Sequence, residues 1–367
     1  MSARYFSYRN GKMKLPVFFP DATRAVVRTL DFQDIYSTKT EGLLVNTLHL
    51  MVNPGEEVIK SFGGIAPFMG WSGALISDSG GFQVGSLIKK NPKLGRVVDS
   101  GAIFRLPGSG QVINLTPEES VRFQMNLGVD MVVVLDDFDA PDSSEDKLKK
   151  SVERTISWAM RSKKEFLKIC KHRKLSESKR PYILGVIQGG RNKKLRQYCA
   201  RELIKIGFDG LGYGGEEKIG GVKVNYNLAK FVASLVPKEY LLYALGVGKP
   251  EDIVALSKIG FDIFDCVLPT RDGRHRRLYV YRADSIDRID LSRKDFYYYY
   301  VPDKIKYAKS KMSVSMACDC LLCKNYTRAY LHHITKINDT LSMRLGTMHN
   351  LRFYSLLIEK LRMRRPG

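Results

Sequence analysis

Three aspartates in this 367-residue sequence directly follow short apolar runs: Asp78 after Ala74–Ser77, Asp136 after Met131–Leu135 and Asp265 after Phe261–Phe264. A single carboxylate in that position is ordinarily a turn or helix-cap residue. Three of them, with glycines beside them in Ser79-Gly80-Gly81-Phe82, Gln188-Gly189-Gly190 and Gly212-Tyr213-Gly214-Gly215, suggest one shared centre. Two carboxylates on one centre suit chemistry at a glycosidic carbon, where one attacks or steadies an oxocarbenium-like carbon and the other moves protons. A third can accept from the ring N–H and exocyclic amine of a purine, while the Gln188 amide donates to a carbonyl oxygen, which together match a guanine-like edge. Phe82 is a candidate for stacking on such a base and equally a candidate core residue.

A second cluster points to a metal. Cys318-Asp319-Cys320-Leu321-Leu322-Cys323 has C-x-C-x2-C spacing, and His349 stands beyond it with 25 residues between, supplying a fourth ligand for a closed, structural tetrahedral site of the kind zinc takes. His332 and His333 compete for the fourth place on spacing alone. A third feature is the stretch Leu268–Arg277, read as a basic loop, which follows Asp265 almost at once and suits phosphate contact, although charge runs are often only solvated faces. Lys249, in Gly246-Val247-Gly248-Lys249-Pro250, adds a further candidate phosphate contact.

Eight short apolar runs position these residues: Pro16 to Pro20, Leu43 to Thr47, Ala74 to Asp78, Met131 to Asp136, Tyr182 to Gln188, Phe208 to Gly214, Leu241 to Gly246 and Phe261 to Asp265. Helical periodicity fills Pro54 to Phe62, Thr116 to Leu127, Ser144 to Cys170, Asn192 to Ile206, Asn227 to Leu235 and Pro250 to Ile259. An open doubly wound sheet would alternate similarly, but eight strands favour a (β/α)8 TIM barrel, whose reacting groups sit at the carboxyl ends of the strands. Val97 to Leu115 reads as a hairpin turning at Leu106–Gly110. The expectation is a single barrel domain over 1–367, with a zinc-binding insertion over 282–348 after the eighth strand and a closing helix over 349–361.

Sixty Lys and Arg against 38 Asp and Glu give a formal charge of +22, enough to attract a polyanion, with nucleic acid as the leading partner. No apolar run approaches a membrane span, and Met1 to Leu15 lacks the apolar stretch of a secretory signal, so the expectation is a cytoplasmic protein without a membrane partner.

On these residues the chain resembles the tRNA-guanine transglycosylases, or queuine tRNA-ribosyltransferases. The likeness is carried by Asn46-Thr47-Leu48-His49-Leu50, Asp78–Val84, Leu115–Ser120, Gly207–Gly210, Gly246–Pro250, Phe264–Arg271 and the Cys-Cys-Cys-His quartet, in the family's order over nearly the whole chain. The resemblance implies a zinc-bearing (β/α)8 barrel, usually a homodimer, that replaces guanine at the anticodon wobble position of tRNA with a 7-deazaguanine. It implies Asp265 as nucleophile and Asp78 as the proton-handling group. Ser79, Gly80, Gly81, Phe82, Asp136, Gln188 and Gly215 would form the base site. Gly246, Val247, Gly248, Lys249, Pro250, Glu251 and Asp252, with Thr270, Arg271, Asp272, Gly273 and Arg274, would hold the RNA. One structural Zn2+ per chain is implied and no organic cofactor, because the covalent intermediate stores the linkage.

Two stretches depart from the family's pattern. Asp136-Asp137-Phe138-Asp139 stands where members using the aminomethyl precursor carry Asp-Glu-Cys, and Glu216-Glu217-Lys218 stands where a small apolar run is common. An acid at 216 or 217 would pair with an amine on the incoming base. The sequence leaves open a relative acting on DNA, a non-catalytic RNA-binding subunit and, more remotely, a carbohydrate glycosidase.

Overall fold

Alternation along the apolar runs decides which side chains meet inside the molecule. In the computed structural model, which describes residues 4–106, 110–140, 143–214 and 224–364, each of the eight runs contains one strand of a single parallel sheet. These are β1 Val17–Pro20, β2 Gly42–Val45, β3 Ala74–Ser77, β4 Met131–Val133, β5 Tyr182–Ile187, β6 Gly210–Tyr213, β7 Leu241–Ala244 and β8 Ile263–Cys266. Around the sheet the order is sequential, with β8 paired to β1, and a parallel bridge from Asp21 to Leu44 joins β1 to β2. The eight-stranded (β/α)8 architecture is therefore present.

Successive side chains on a strand point to opposite faces. Val17, Phe19, Leu44, Ala74, Ile76, Leu184, Val186, Leu241, Tyr243 and Ile263 fill the barrel, while Phe18, Leu43, Val45, Leu75, Leu242 and Phe264 pack outward. The same phase carries Asp78 inward after Ile76, Gln188 inward after Val186 and Asp265 inward after Ile263. On β6 the outward positions are Leu211 and Tyr213, so the inward ones are glycines, and that wall stays thin.

The helices used below are α1 Gly81–Lys90, α2 Pro117–Leu127, α3 Glu145–His172, α4 Lys193–Ile206, α5 Tyr226–Leu235, α6 Pro250–Ile259, α7 Leu268–Arg274 and α8 Thr340–Arg364. Local chemistry sets several starts: Thr116 caps α2 by accepting from the Glu119 N–H, with Pro117 in the first turn, and Asn192 and Asn225 cap α4 and α5.

Four features differ from expectation. The hairpin expected over Val97–Leu115 is a three-stranded antiparallel sheet, Gly95–Val98, Gly101–Arg105 and Val112–Leu115. An N-terminal hairpin, Tyr5–Tyr8 with Gly11–Lys14, plugs the barrel floor through Phe6, Met13 and Leu15. Its strands are too short and polar to announce themselves. The basic segment is not a loop in its first half, because Leu268–Arg274 is helical, started by Pro269. The closing helix begins at Thr340 rather than His349, so His349 lies within it. After the eighth strand, Leu278–Tyr281 pairs with Tyr297–Tyr300, and the small apolar core of the cysteine-bearing region reaches back to Leu278.

At the floor, three aspartates each precede an even-numbered strand and accept the first free N–H of the preceding odd one. Asp130 accepts from Leu75 N–H at 2.8 Å, Asp209 from Ile183 N–H at 2.8 Å and Asp262 from Leu242 N–H at 3.1 Å. Each also faces an arginine: Arg9, Arg180 and Arg4 respectively. Asp130→Ala strands a buried N–H and removes the partner of Arg9, and a loss of about 2–4 kcal/mol is expected in denaturant unfolding. Asp130→Asn, which keeps an acceptor, is expected to lose less.

Candidate active site and metal centre

At the carboxyl ends of the strands lies a cavity of about 910 Å³ whose lining includes Asp78, Asp136, Gln188 and Asp265. The barrel thus brings together the residues that the sequence singled out from β3, β5, β8 and the segment after β4. Each is held by a different set of donors.

Asp78 receives four. Thr47 N–H donates to Oδ1 at 2.9 Å, Gly80 N–H to Oδ1 at 3.2 Å, Gln83 Nε2 to Oδ2 at 2.9 Å, and the Asn46 amide donates to Oδ2. Asn46 is fixed for this because its Oδ1 caps the following short helix by accepting from His49 N–H at 2.9 Å. Burial pushes the Asp78 carboxyl up to about 7, and the donors from Thr47, Gln83 and Gly80 oppose that rise. Asp265 accepts from the Tyr243 hydroxyl at 2.7 Å and from Gly246 N–H at 2.6 Å. Tyr243 is buried beside it on β7, and burial followed by the Asp265 charge raises its phenol well above the ordinary value, so it stays a donor.

Asp136 accepts from Gln188 Nε2 at 2.6 Å, and burial pushes its carboxyl up to about 6. Its neighbour Asp137 is engaged elsewhere, in an ion pair with Arg154 at 2.6 Å. Gly214 is required here: a Cβ would stand 2.6 Å from Val186 Cγ1 and 2.9 Å from Gln188 Nε2. Buried Arg196 on α4 ties the adjoining loops by donating to the carbonyls of Gly190 at 2.9 Å, Ile187 at 2.5 Å and Gly214 at 2.7 Å. Phe82 is 55% exposed at the mouth, which removes the core reading. It stacks on Phe138 with centroids 5.4 Å apart, and Lys89 lies 4.3 Å from the Phe138 centroid on that ring's face. Ser79 is buried, and its carbonyl accepts from Ser120 at 2.8 Å, while a Cβ on Gly81 would meet Leu135 at 2.8 Å. Gly215 and the acidic pair Glu216 and Glu217, with Lys218, lie outside the described residues.

The segments expected to meet RNA share the cavity's rim. Gly246, Val247, Gly248, Lys249 and Asp252 line it from β7 and α6, and Arg271 and Asp272 from α7. Arg271 is exposed. Thr270, Gly273 and Pro250 are buried, and three acids on these segments already have partners: Asp272 accepts from Arg277 at 2.8 Å and Tyr279 at 2.5 Å, Asp252 from Tyr226 at 2.5 Å, and Glu251 from Tyr297 at 2.6 Å. Arg274 is half-buried, and burial, then the charges of Arg28 and Arg271, lower its pKa. Asn46, Gln83, Tyr243 and His49 were given no individual role by the sequence. Strand phase placed Tyr243 inward with Leu241 and could have found it; the hydrogen bonds of Asn46 and Gln83 to Asp78 have no such signature.

Cys318, Cys320, Cys323 and His349 bring one ligand atom each to within 4.8 Å of one another. His349 Nδ1 lies 3.7, 3.5 and 3.3 Å from the three sulfurs, while its Nε2 meets the Tyr279 carbonyl at 2.8 Å and must donate there. That bond leaves Nδ1 as the metal-facing nitrogen. Tetrahedral bonds of about 2.0–2.3 Å require ligand atoms roughly 3.5 Å apart, and the histidine–sulfur spacings match that requirement. His332 is not part of this group; its Nδ1 meets the Pro302 carbonyl at 2.8 Å.

A parallel barrel with several carboxylates and a cationic edge at its carboxyl rim, and a buried Cys3His group apart from them that could hold a metal ion, is the architecture of a TIM-barrel enzyme. The model of the family Queuine tRNA-ribosyltransferase matches residues 3–364. Proteins named queuine tRNA-ribosyltransferase are similar throughout: that of Actinobacillus pleuropneumoniae serotype 3 is 37% identical over 351 residues, covering 95% of this chain and 85% of its own. Those of Tolumonas auensis and Methylacidiphilum infernorum are each 36% identical, covering 97% and 96% of this chain and 88% of their own lengths. The chain belongs to the queuine tRNA-ribosyltransferase family and is a glycosyltransferase. Among the described residues no helix is long and apolar enough to cross a membrane.

Cys320→Ser is expected to lose bound metal, read by elemental analysis of protein prepared without chelator, and to lower the unfolding temperature.

Proposed function

We propose that this enzyme exchanges guanine at the wobble position of a tRNA anticodon for a 7-deazaguanine, with Asp265 as nucleophile and Asp78 as the proton carrier. The observation that carries this reading is the convergence of both carboxylates on one cavity, where each is held by neutral donors, beside a base-reading pair made by Asp136 and Gln188.

An Asp265 oxygen forms a bond to C1′ of the ribose as the bond from C1′ to the guanine nitrogen breaks, and the electron pair leaves with the base. Asp78, protonated at the outset, gives its proton to the departing base. It then takes the ring N–H proton of the incoming base, which attacks C1′ and breaks the bond to Asp265. The balance closes without an oxidant or a cofactor. A group near pH 7 holds both protonation states at neutral pH, as this double duty requires. Asp136 accepts from the base's ring N–H and amine only when ionised, Gln188 donates to its carbonyl, and Phe82 covers its face. Arg271, Arg274 and Lys249 meet the phosphates.

The metal is inferred to be one Zn2+ per chain, held by Cys318, Cys320, Cys323 and His349. It closes a structural site and supplies no reacting ligand. Its effect reaches the RNA through α8: Asn350 donates to the Pro269 and Arg277 carbonyls at 3.0 Å each, and Tyr354 donates to the Gly248 carbonyl at 2.5 Å.

Incubation with guanine-containing tRNA followed by denaturing electrophoresis is expected to show a protein–RNA adduct that Asp265→Asn abolishes; an adduct surviving that change refutes the nucleophile. The pH profile of exchange provides a second test. Below about pH 6 Asp136 gains a proton and loses an acceptor, so activity should rise as pH passes 6. Above about pH 7 Asp78 loses the proton the leaving base needs, so activity should then fall. Asp78→Asn is expected to lower exchange by at least about a hundredfold and to remove the upper limb.

A further inference from the structure

The cavity contains another carboxylate that this chemistry leaves unused. Asp21 directly follows β1 and lines the cavity with Thr23, Asn46 and His49. Its place is fixed by the backbone: Ala22 N–H donates to Leu44 O at 2.7 Å, which closes the barrel, and the Thr23 hydroxyl donates to Asp21 Oδ1 at 2.5 Å. Asp265 stands opposite Phe19 in the β8–β1 pairing. Asp21 lies two residues beyond Phe19, so two rises of about 3.3 Å and one strand spacing of about 4.8 Å put its Cα roughly 8 Å from that of Asp265. On the other side, at the end of β2, Asn46 donates to Asp78. The rim therefore runs from nucleophile to Asp21 to Asn46 to proton carrier on consecutive strands.

A sugar whose C1′ reacts at Asp265 places C2′ one bond away, inside this arc. We infer that Asp21 accepts a hydrogen bond from the 2′-hydroxyl of the target nucleotide and so makes the site selective for RNA over DNA. This rests on the transglycosylase reading and narrows it to one polymer. A deoxy sugar would leave the enclosed carboxylate facing carbon instead of a hydroxyl donor, the arrangement that discriminates most strongly against an analogue lacking the group. Burial raises the Asp21 pKa, with Thr23 and then the charges of Arg274 and His49 opposing the rise. Asp78 faces it from β3, and Arg24 acts on His49 beside it.

The test compares two anticodon stem-loop RNAs that differ only in the 2′-hydroxyl of the target guanosine, using exchange of labelled guanine by the full-length enzyme. The readout is the ratio of kcat/KM for the ribo over the deoxy substrate within each protein preparation, so the fraction of active enzyme cancels. The unaltered enzyme should favour the ribo substrate by roughly 10- to 100-fold. Asp21→Ala should reduce that ratio about tenfold, and Asp21→Asn, which keeps an acceptor oxygen, should reduce it less. An Asp21→Ala ratio equal to that of the unaltered enzyme overturns the inference. So does an unchanged ratio with a shallower salt dependence of KM for both substrates, which would mean that Asp21 acts through Arg274 on phosphates. Failure of the unaltered enzyme to exchange guanine into either RNA overturns the transglycosylase reading itself, and this inference with it.

Discussion

Carboxylates enclosed in protein must be given hydrogen-bond donors, and the kind of donor sets what each can do. The barrel uses two kinds at its two ends. At the floor, Asp130, Asp209 and Asp262 each combine a backbone N–H with an arginine. These groups fasten the strand starts. Around the cavity at the carboxyl ends, Asp78, Asp136 and Asp265 take amide, hydroxyl and backbone donors. With neutral donors in place of a cation, burial outweighs the hydrogen bonds at Asp78 and Asp136, and both move towards neutral pH. Asp137, one residue from Asp136, binds Arg154, and burial still raises its carboxyl although the hydrogen bond and charge of Arg154 oppose the rise. An arginine against Asp78 would favour its charged form and oppose the rise that burial causes.

The Cys3His group bears on the same rim from a distance. His349 and Asn350 are neighbours in α8, one bound to the Tyr279 carbonyl and the other to the Tyr279 N–H, at 2.8 and 3.0 Å. The Cys3His group therefore anchors the stretch of helix from which Asn350 and Tyr354 hold both rim segments. Close approach is possible because Gly273 in α7 meets Gly346 in α8, where a Cβ on Gly346 would lie 2.8 Å from the Gly273 carbonyl. Side chains at either position would push α7, and Arg271 with it, away from the barrel. The closing helix thus braces the Cys3His group against the rim.

Much of this was legible from side-chain phase. The eight apolar runs carried the barrel, and counting by twos from Ile76, Val186 and Ile263 points Asp78, Gln188 and Asp265 inward. The rule breaks at Asp136, because β4 ends at Val133 and the chain turns before the carboxylate; the expected strand to Asp136 was too long by three residues. What stayed hidden depends on partners far along the chain. The N-terminal hairpin has only Phe6 and Met13 as buried anchors, and they gain meaning only when Phe19 and Tyr182 stand against Phe6, with ring centroids 5.9 and 5.0 Å away. Charge density suggested a loop at Leu268–Arg277, yet Pro269 and the partnering of Asp272 by Arg277 and Tyr279 make its first half a helix. Asp21 looked like a residue after a proline at the end of a strand, with nothing in its neighbours to mark it.

The placement of cations completes the division. With a formal charge of +22, the chain has arginine and lysine in excess, yet amide, hydroxyl and backbone groups hold Asp78, Asp136 and Asp265, while Arg271, Arg274, Arg28 and Lys249 gather on or near the rim. Like charges crowded at a half-buried edge cost free energy in the unbound protein; burial first, and then the charges of Arg28 and Arg271, lower the pKa of Arg274 there. A phosphate backbone offsets it on binding, so the repulsion in the free enzyme becomes part of the attraction for a polyanion. The field that draws the nucleic acid to the mouth would hold a carboxylate ionised if it reached the cavity at contact distance. Keeping the cations on the rim and neutral donors inside lets one molecule offer a cationic edge to a polyanion while Asp78 and Asp136, which burial raises towards neutral pH, stay out of contact with a cation.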